Sequence, residues 1–320
     1  MKDRFQREID YIRISVTDKC NFRCRYCMPE EGVETIPHSE VLSFEEIVRV
    51  VSVLSELGIK KVKITGGEPL VRRDICTLIQ KMAKISGIED ITLTTNGFLL
   101  GEMAEQLKRA GIRTINVSVD TLNRREFADI CRRDGLDQVL DSIERAKNLG
   151  LEIRINTTVS EESNLKELFE LLEYFVNRDI PVRFIELMPI GCGHGSRVKN
   201  QDLQKMLKKR YPDFVRSNFS GNGPAIYYTF GKNKKVGFIS AVHNKFCESC
   251  NRIRLSCDGK IKPCLASSLS YDIKAVLRSG GDDKKLKESL EQAIFYKPLE
   301  HHFGKEQSGC IKNTMNQIGG

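Results

Sequence analysis

Six short runs rich in β-branched residues, each separated from the next by a segment of helical periodicity, constrain this chain more than any other feature. The runs are YIRISV (11–16), KVKIT (61–65), ITLTTN (91–96), RTINVSVD (113–120), LEIRINTTV (151–159) and PVRFIELM (181–188). The helical segments between them are Ser43–Leu57, Arg72–Ile85, Leu100–Ala110, Leu136–Leu149 and Leu165–Val176. Ser43 with Glu46 three residues on reads as a capping box. Gly58, Gly87, Gly111 and Gly150 follow the helices as C-terminal stops. Strand and helix in strict alternation mean a parallel sheet with helical crossovers. Six units fall short of the eight that close a TIM barrel. The expected fold is α/β, a partial, open TIM-type (β/α)6 barrel.

The first five strands alternate polar and apolar residues. Arg13 and Ser15 oppose Ile12, Ile14 and Val16; Lys63 and Thr65 oppose Val62 and Ile64; Thr92, Thr94 and Asn96 oppose Ile91 and Leu93. Asn116, Ser118 and Asp120, then Arg154, Asn156 and Thr158, continue the pattern. In a parallel sheet the outer helices cover the apolar face, so the polar face lines the interior. An ordinary TIM interior is packed with Val, Ile and Leu. A polar interior implies a hollow barrel with a sizeable polar ligand. Arg13, Lys63 and Arg154 all point inward, and several cations in one barrel are costly without an anion.

After Gly191 the pattern changes. GCGHGSRVKNQ reads as a linker, followed by a short helix (202–209), a hairpin from AIYYTF and KVGFIS, and helices near 271–278 and 283–293. The terminal KNTMNQIGG shows no packing pattern. The expected division is 1–190 as barrel and 191–320 as an α+β extension that closes the open side.

No apolar run approaches the roughly 18 residues of a membrane span, and MKDRFQREID is not a signal peptide. A cytoplasmic protein with 11 cysteines points to metal or redox chemistry rather than disulfides. The net charge of +8 suits an anionic partner, but no block of basic residues favours nucleic acid.

Two cysteine sets stand out. Cys20, Cys24 and Cys27 follow the first strand with spacing Cys-x3-Cys-x2-Cys. Cys247, Cys250 and Cys264 have spacing Cys-x2-Cys-x13-Cys. A structural zinc takes four ligands; each set has three. Three thiolates suit a [4Fe–4S] cube with one iron left open. Asp258-Gly259 is a type I′ hairpin signal. With those two residues in the turn, Cys257 opposes Lys260, Leu255 opposes Lys262 and Ile253 opposes Cys264. The turn thus returns Cys264 toward the first two cysteines, while Arg252 and Arg254 fall on the opposite face. Cys257 lies too far along the hairpin to be a ligand. With Cys76, Cys131, Cys192 and Cys310 it reads as a small apolar residue.

CNFRCRYC, with Tyr26 before the last cysteine, and GGEP (66–69) after the second strand resemble the signature of the radical S-adenosylmethionine (SAM) superfamily. RISVTDKCNFRCRYCMP, ITGGEPLVRRDI, VRFIELMPIG, GNGPAIYYTF, FCESCNRIRLSCDGKIKPCL and the terminal IGG together resemble, in order, the GTP 3′,8-cyclase family of molybdenum cofactor biosynthesis. The likeness spans nearly the whole chain. It implies two [4Fe–4S] clusters, one on Cys20, Cys24 and Cys27 with SAM, the other on Cys247, Cys250 and Cys264 with the substrate. It implies SAM contacts from Tyr26, Gly67, Ser118 and Met188. It implies GTP contacts from Arg13, Lys63, Thr94, Arg154, Arg252, Ile253 and Arg254. Lys63 stands where the family commonly has arginine, and Arg154 where it commonly has lysine. Gly319 and Gly320 resemble a terminal Gly-Gly that enters the pocket. The implied activity is conversion of GTP to (8S)-3′,8-cyclo-7,8-dihydroguanosine 5′-triphosphate, begun by a 5′-deoxyadenosyl radical that takes the C3′ hydrogen. The implied partners are an electron donor such as flavodoxin or ferredoxin and a downstream cyclic pyranopterin monophosphate synthase, with no nucleic acid and no membrane; a homodimer is compatible. Two other readings compete: a radical SAM peptide-modifying enzyme with an auxiliary cluster, and a basic zinc protein that binds nucleic acid.

Overall fold

The computed structural model describes residues 1–160, 163–193, 198–219, 221–301, 303 and 314–318. Cys310, Gly319, Gly320 and the centre of the linker (194–197) lie outside the described residues. The six strands form where the patterning places them: β1 Tyr11–Ser15, β2 Lys61–Thr65, β3 Asp90–Thr95, β4 Thr114–Ser118, β5 Glu152–Val159 and β6 Val182–Glu186, all parallel in chain order. The crossovers are α1 Phe44–Glu56, α2 Ile75–Ala83, α3 Leu100–Ala110, the pair α4 Arg124–Cys131 and α5 Leu136–Asn148, and α6 Leu165–Val176.

The Ser43 capping box is complete. Its hydroxyl accepts from the Glu46 amide at 3.1 Å, and the Glu46 carboxylate accepts from the Ser43 amide at 2.7 Å. The second helix starts later than its periodicity suggests. Pro69–Val71 forms a 3-10 turn, and Asp74 takes a left-handed conformation (φ +58°) that delays the α-helix to Ile75. Helix α4 is absent from the sequence reading. Its cap is Asn123, whose side chain accepts from the amides of Arg125 and Glu126, a signal the apolar periodicity alone does not carry.

Apolar strand residues pack outward against the helices. Ile12, Ile14, Ile64, Leu93 and Val117 have no more than 1% exposure and share one core with Ile47, Val51, Leu78, Leu107 and Ile143 of the helices. Each such burial is worth roughly 1.5–3 kcal/mol, and together they hold the polar strand face inward.

The C-terminal half adds α7 Asn200–Arg210, β7 Val215–Arg216, β8 Ile226–Phe230, β9 Lys234–Ile239, β10 Arg252–Leu255, β11 Lys260–Lys262, β12 Tyr271–Asp272, α8 Ile273–Arg278, α9 Asp283–Phe295 and the short turn α10 Met315–Ile318. It does more than cap. β9 pairs in parallel with β6, and β10 pairs in parallel with β1, so three strands extend each edge of the six-stranded sheet. The order β12-β11-β10-β1-β2-β3-β4-β5-β6-β9-β8-β7 is not closed by hydrogen bonds, which is a partial barrel. The segment that shows no pattern in the sequence is not featureless either: Ile318 is 2% exposed and Met315 borders the central cavity.

One expectation is overturned. The hairpin between β10 and β11 pairs Arg254 with Lys262 and Leu255 with Ile261, one residue out of the register expected from a two-residue turn. Its loop is three residues long, Cys257, Asp258 and Gly259. Ser256 and Lys260 close it, with the Ser256 amide donating to the Lys260 carbonyl at 3.0 Å. Gly259 takes φ +82°, the left-handed position such a loop needs. A one-residue slip exchanges the faces of every side chain. Cys264 therefore returns on the face of Arg252 and Arg254, and Ile253 points into the core at 0% exposure. The parallel pairing of Arg252 with Tyr11 and Arg254 with Arg13 puts both arginines on the inner face.

Candidate active site

A cavity of about 340 Å³ runs through the barrel, and all six cysteines of the two sets border it. They sit at opposite ends. Cys20, Cys24 and Cys27 follow the C-terminal end of β1. Cys247 and Cys250 precede β10, which runs parallel to β1, and Cys264 follows the antiparallel β11. The five residues of β1 separate the two ends by on the order of 15 Å at about 3.3 Å per residue.

The first end is built from loop backbone. Gly67 donates its amide to the Thr17 carbonyl at 2.7 Å, and Glu68 donates its own to the Lys19 carbonyl at 2.8 Å. A Cβ on Gly67 would lie 2.3 Å from the Lys19 oxygen, so no other residue lets the two loops approach. The Glu68 carboxylate accepts from Thr95 Oγ1 at 2.7 Å and from the Asn96 amide at 2.7 Å. Burial pushes it up to about 7. Tyr26 donates to Asp120 at 2.6 Å, and burial pushes Asp120 up to about 6. The end of α4 clamps the cysteine loop: Arg132 donates to the carbonyls of Arg23 and Met28, and Arg23 and Arg25 donate their amides to Cys131 and Ile130. Burial, with Glu68 and Cys24 nearby, pushes the Cys20 thiol up to about 12. An iron that takes this thiol must displace its proton.

The second end is cationic. Burial alone would raise the Cys250 thiol, but Arg252 and Lys297 outweigh it and bring it down to about 7. Arg252 reaches Cys250 Sγ at 3.7 Å. Between the ends, Arg13, Lys63, Arg183, Arg252 and Arg254 border the cavity. Burial lowers the pKa of Arg13, Lys63, Arg183 and Arg254, and mutual repulsion adds to it. The cavity carboxylate Glu186 is committed to the amides of Val242 and His243 at 3.1 Å each. The Arg183 Nε is buried without a hydrogen-bond partner among the described residues. An oxyanion in the cavity would relieve both the repulsion and the orphaned donor.

Tyr26, Gly67, Ser118, Met188, Arg13, Lys63, Thr94, Arg252 and Arg254 all border the cavity. Arg154 and Ile253 do not. Arg154 is tied to Glu152 at 3.0 Å and lies 5.7 Å from the Phe219 ring centre; Ile253 is fully buried in the core, paired with Ile12 of β1. Arg183 is the residue that sequence reasoning missed. It sits between Val182 and Phe184 on β6, where the inner face also carries Ile185, so no polar alternation marked it. Cys257 is fully buried within the three-residue turn and does not border the cavity.

Among the described residues no three His, Cys, Asp or Glu side chains converge tightly enough for a single metal ion. A cluster is held differently, each thiolate taking its own iron, and the three cysteines of each set border the cavity at one end of it. Three thiol donors at each end match the donor type and number of a cube with one open iron. No described helix is long and apolar enough to cross a membrane.

A partial parallel barrel with three cysteines on the loop after its first strand, and a glycine pair packed against that loop, has the architecture of a radical SAM enzyme. The family model for the radical SAM superfamily matches residues 14–175, and that for Molybdenum Cofactor Synthesis C matches residues 180–303. The chain is 42% identical to the GTP 3′,8-cyclases of Desulforamulus reducens and Clostridium perfringens, with both chains covered in full each time. The chain belongs to the GTP 3′,8-cyclase family of radical SAM enzymes. It is an enzyme of that type, and SAM and iron–sulfur chemistry come with the family. Among solved structures it resembles Streptococcus suis SuiB bound to precursor peptide SuiA (TM-score 0.63, 16% identity, 98% of this chain and 71% of that one). It also resembles native anSMEcpe with bound AdoMet (TM-score 0.61, 18% identity, 92% and 82%). At such identities the likeness carries the fold alone.

Proposed function

We propose that this chain converts GTP to (8S)-3′,8-cyclo-7,8-dihydroguanosine 5′-triphosphate, the first step of molybdopterin synthesis. The observation that carries the reading is the pairing of two three-cysteine sets at opposite ends of one cationic cavity. In this reading Cys20, Cys24 and Cys27 hold one [4Fe–4S] cluster and Cys247, Cys250 and Cys264 a second. When bound, the first cluster and SAM supply a hydrogen-abstracting deoxyadenosyl radical, and the second anchors the guanine base.

The chain's own residues then bind and orient. Gly67, packed against residues 18 and 19, shapes the end that takes the methionine part of SAM, and Tyr26, Ser118 and Met188 border the same end. Arg13, Lys63, Arg183, Arg252 and Arg254 neutralise the triphosphate, with Thr94 beside them and Arg154 at the edge. Holding base and ribose between two fixed ends brings C3′ and C8 into reacting geometry, where most of the rate gain of an intramolecular cyclisation arises. Residues 1–190 act as the radical-generating barrel and 191–320 as the half that carries the substrate cluster. The reading places the protein in the cytoplasm, with a flavodoxin or ferredoxin as electron donor and a cyclic pyranopterin monophosphate synthase downstream; a homodimer is compatible with it.

Anaerobic incubation with SAM, a reductant and GTP tests this. The expected result is 5′-deoxyadenosine formation only when GTP is present, with loss of GTP. Inert GTP together with peptide-stimulated SAM cleavage would overturn it in favour of peptide modification.

A further inference from the structure

The segment after α9, Lys297 to His301, wraps the second three-cysteine site. Lys297 is 2% exposed, an unusual place for a lysine. Its Nζ donates to the Arg252 carbonyl at 2.8 Å and to the Pro263 carbonyl at 2.6 Å. Those carbonyls lie on the two arms of the hairpin, one leaving Cys250 and the other arriving at Cys264. A single ammonium therefore ties together the two backbones that carry those cysteines. Lys297 also borders the cavity.

Arg7 makes a similar bridge next to it. Its guanidinium donates to the carbonyls of Cys247 at 2.8 Å, Leu299 at 2.8 Å and Pro298 at 2.7 Å. The two cations differ in one respect. Arg7 is paired with the buried Asp3 at 2.7 Å, so its charge is cancelled where it sits. No carboxylate lies within ion-pair distance of Lys297 among the described residues. Carbonyl dipoles orient its ammonium but bring no net charge to cancel it. The neighbouring Arg252 and Arg254 differ again, because their guanidinium groups border the space proposed for the substrate's phosphates.

We propose that Lys297 is a positioning residue whose uncancelled buried charge is balanced by the iron–sulfur group on Cys247, Cys250 and Cys264, making that group easier to reduce. This rests on the reading that those cysteines hold a cluster. Arg7 fixes the same loop without contributing net charge. A cation close to a redox centre in a low-dielectric site favours the form with the extra electron.

The test uses the full chain with Cys20, Cys24 and Cys27 all replaced by alanine, so that only the second site can hold a cluster. Iron content and an EPR-monitored potential titration are then compared for Lys297, Lys297→Met and Lys297→Arg. Lys297→Met keeps the length and loses the charge. At a fixed potential its reduced-to-oxidised ratio should fall about tenfold, equivalent to ~59 mV for one electron. Lys297→Arg should restore the parent potential. Loss of iron in Lys297→Met with retention in Lys297→Arg would support the same conclusion. An unshifted potential in Lys297→Met would overturn the proposal. So would an equal shift, or equal loss of iron, in both variants, because the role would then be shape and not charge. If the triple-alanine parent itself holds no iron, the two-cluster reading fails first.

Discussion

The two ends of the cavity carry the same ligand type in opposite electrostatic settings. At the first, Cys20 is desolvated beside Glu68, and its thiol is pushed up to about 12. At the second, Cys250 is also desolvated, yet Arg252 and Lys297 bring it down to about 7. The first end is shaped by close backbone packing of Gly66 and Gly67 on residues 17–19. The second is held by buried cations bonded to carbonyls. The difference suits two tasks. Under the proposed function, the first end takes SAM and relies on backbone and space, and the second faces the substrate's triphosphate and relies on positive charge.

The sharpest way to break this comparison is to remove one cysteine from each end. Cys24→Ala and Cys250→Ala should each lower iron from about eight to about four atoms per chain. Cys24→Ala should abolish SAM cleavage altogether, whereas Cys250→Ala should keep slow cleavage and lose cyclisation. Cyclised product from Cys250→Ala would dissolve the division of labour.

A smaller effect is expected from Gly67→Ala. The added methyl meets the Lys19 and Asp18 carbonyls at 2.3 and 2.6 Å, and overpacking of this kind costs about 1–3 kcal/mol. SAM affinity, read by equilibrium dialysis, should fall about tenfold or more, with GTP affinity little changed.

The cationic middle is tested by two arginines. Arg183→Met removes a buried donor at the cavity wall and should lower kcat/KM for GTP by roughly 10- to 100-fold, the range for a charged hydrogen bond of about 1.5–3 kcal/mol. Arg154→Met should cost less, because Arg154 is already paired with Glu152 outside the lining. An equal loss in both would mean that the triphosphate reaches the barrel edge.

The smallest effect concerns pH. Glu68 is pushed from 4.5 up to about 7, and Asp120 from 3.8 up to about 6. An acid whose folded pKa is raised stabilises the fold fully below its ordinary pKa and loses that contribution as pH rises through the folded value. The metal-free protein should therefore lose a few degrees of Tm between about pH 4 and 7. Glu68→Gln should flatten part of that slope, as scanning calorimetry would record.

Much of this molecule can be read from the chain itself. Period-two and period-3.6 patterns located the six strands and five of the six crossover helices, because side-chain direction within one element is a local property. The cysteine spacings marked both ends of the cavity for the same reason. Arg183 escaped because Ile185 shares its inward face, and α4 because its cap is polar and its apolar stripe short. Registry was the harder matter. Asp258-Gly259 signalled a turn, but Ser256 and Lys260 close it around three residues instead of two. That single step decides whether Cys264 faces Arg252 or Ile253.

The sequence by itself thus determined the element types, the polar interior, the two cysteine sets and the family. These follow from local geometry and from ligand chemistry written at short spacing. Only the tertiary structure decided which strand the second set stands beside. By pairing β10 in parallel with β1, it placed Cys250 at the far end of the barrel from Cys20. It also decided that Lys297, 33 residues beyond Cys264 in the chain, lies between the two arms of their hairpin. Pairings of that range depend on which buried surfaces and hydrogen bonds the whole sheet can satisfy together, and no short stretch of sequence contains that information.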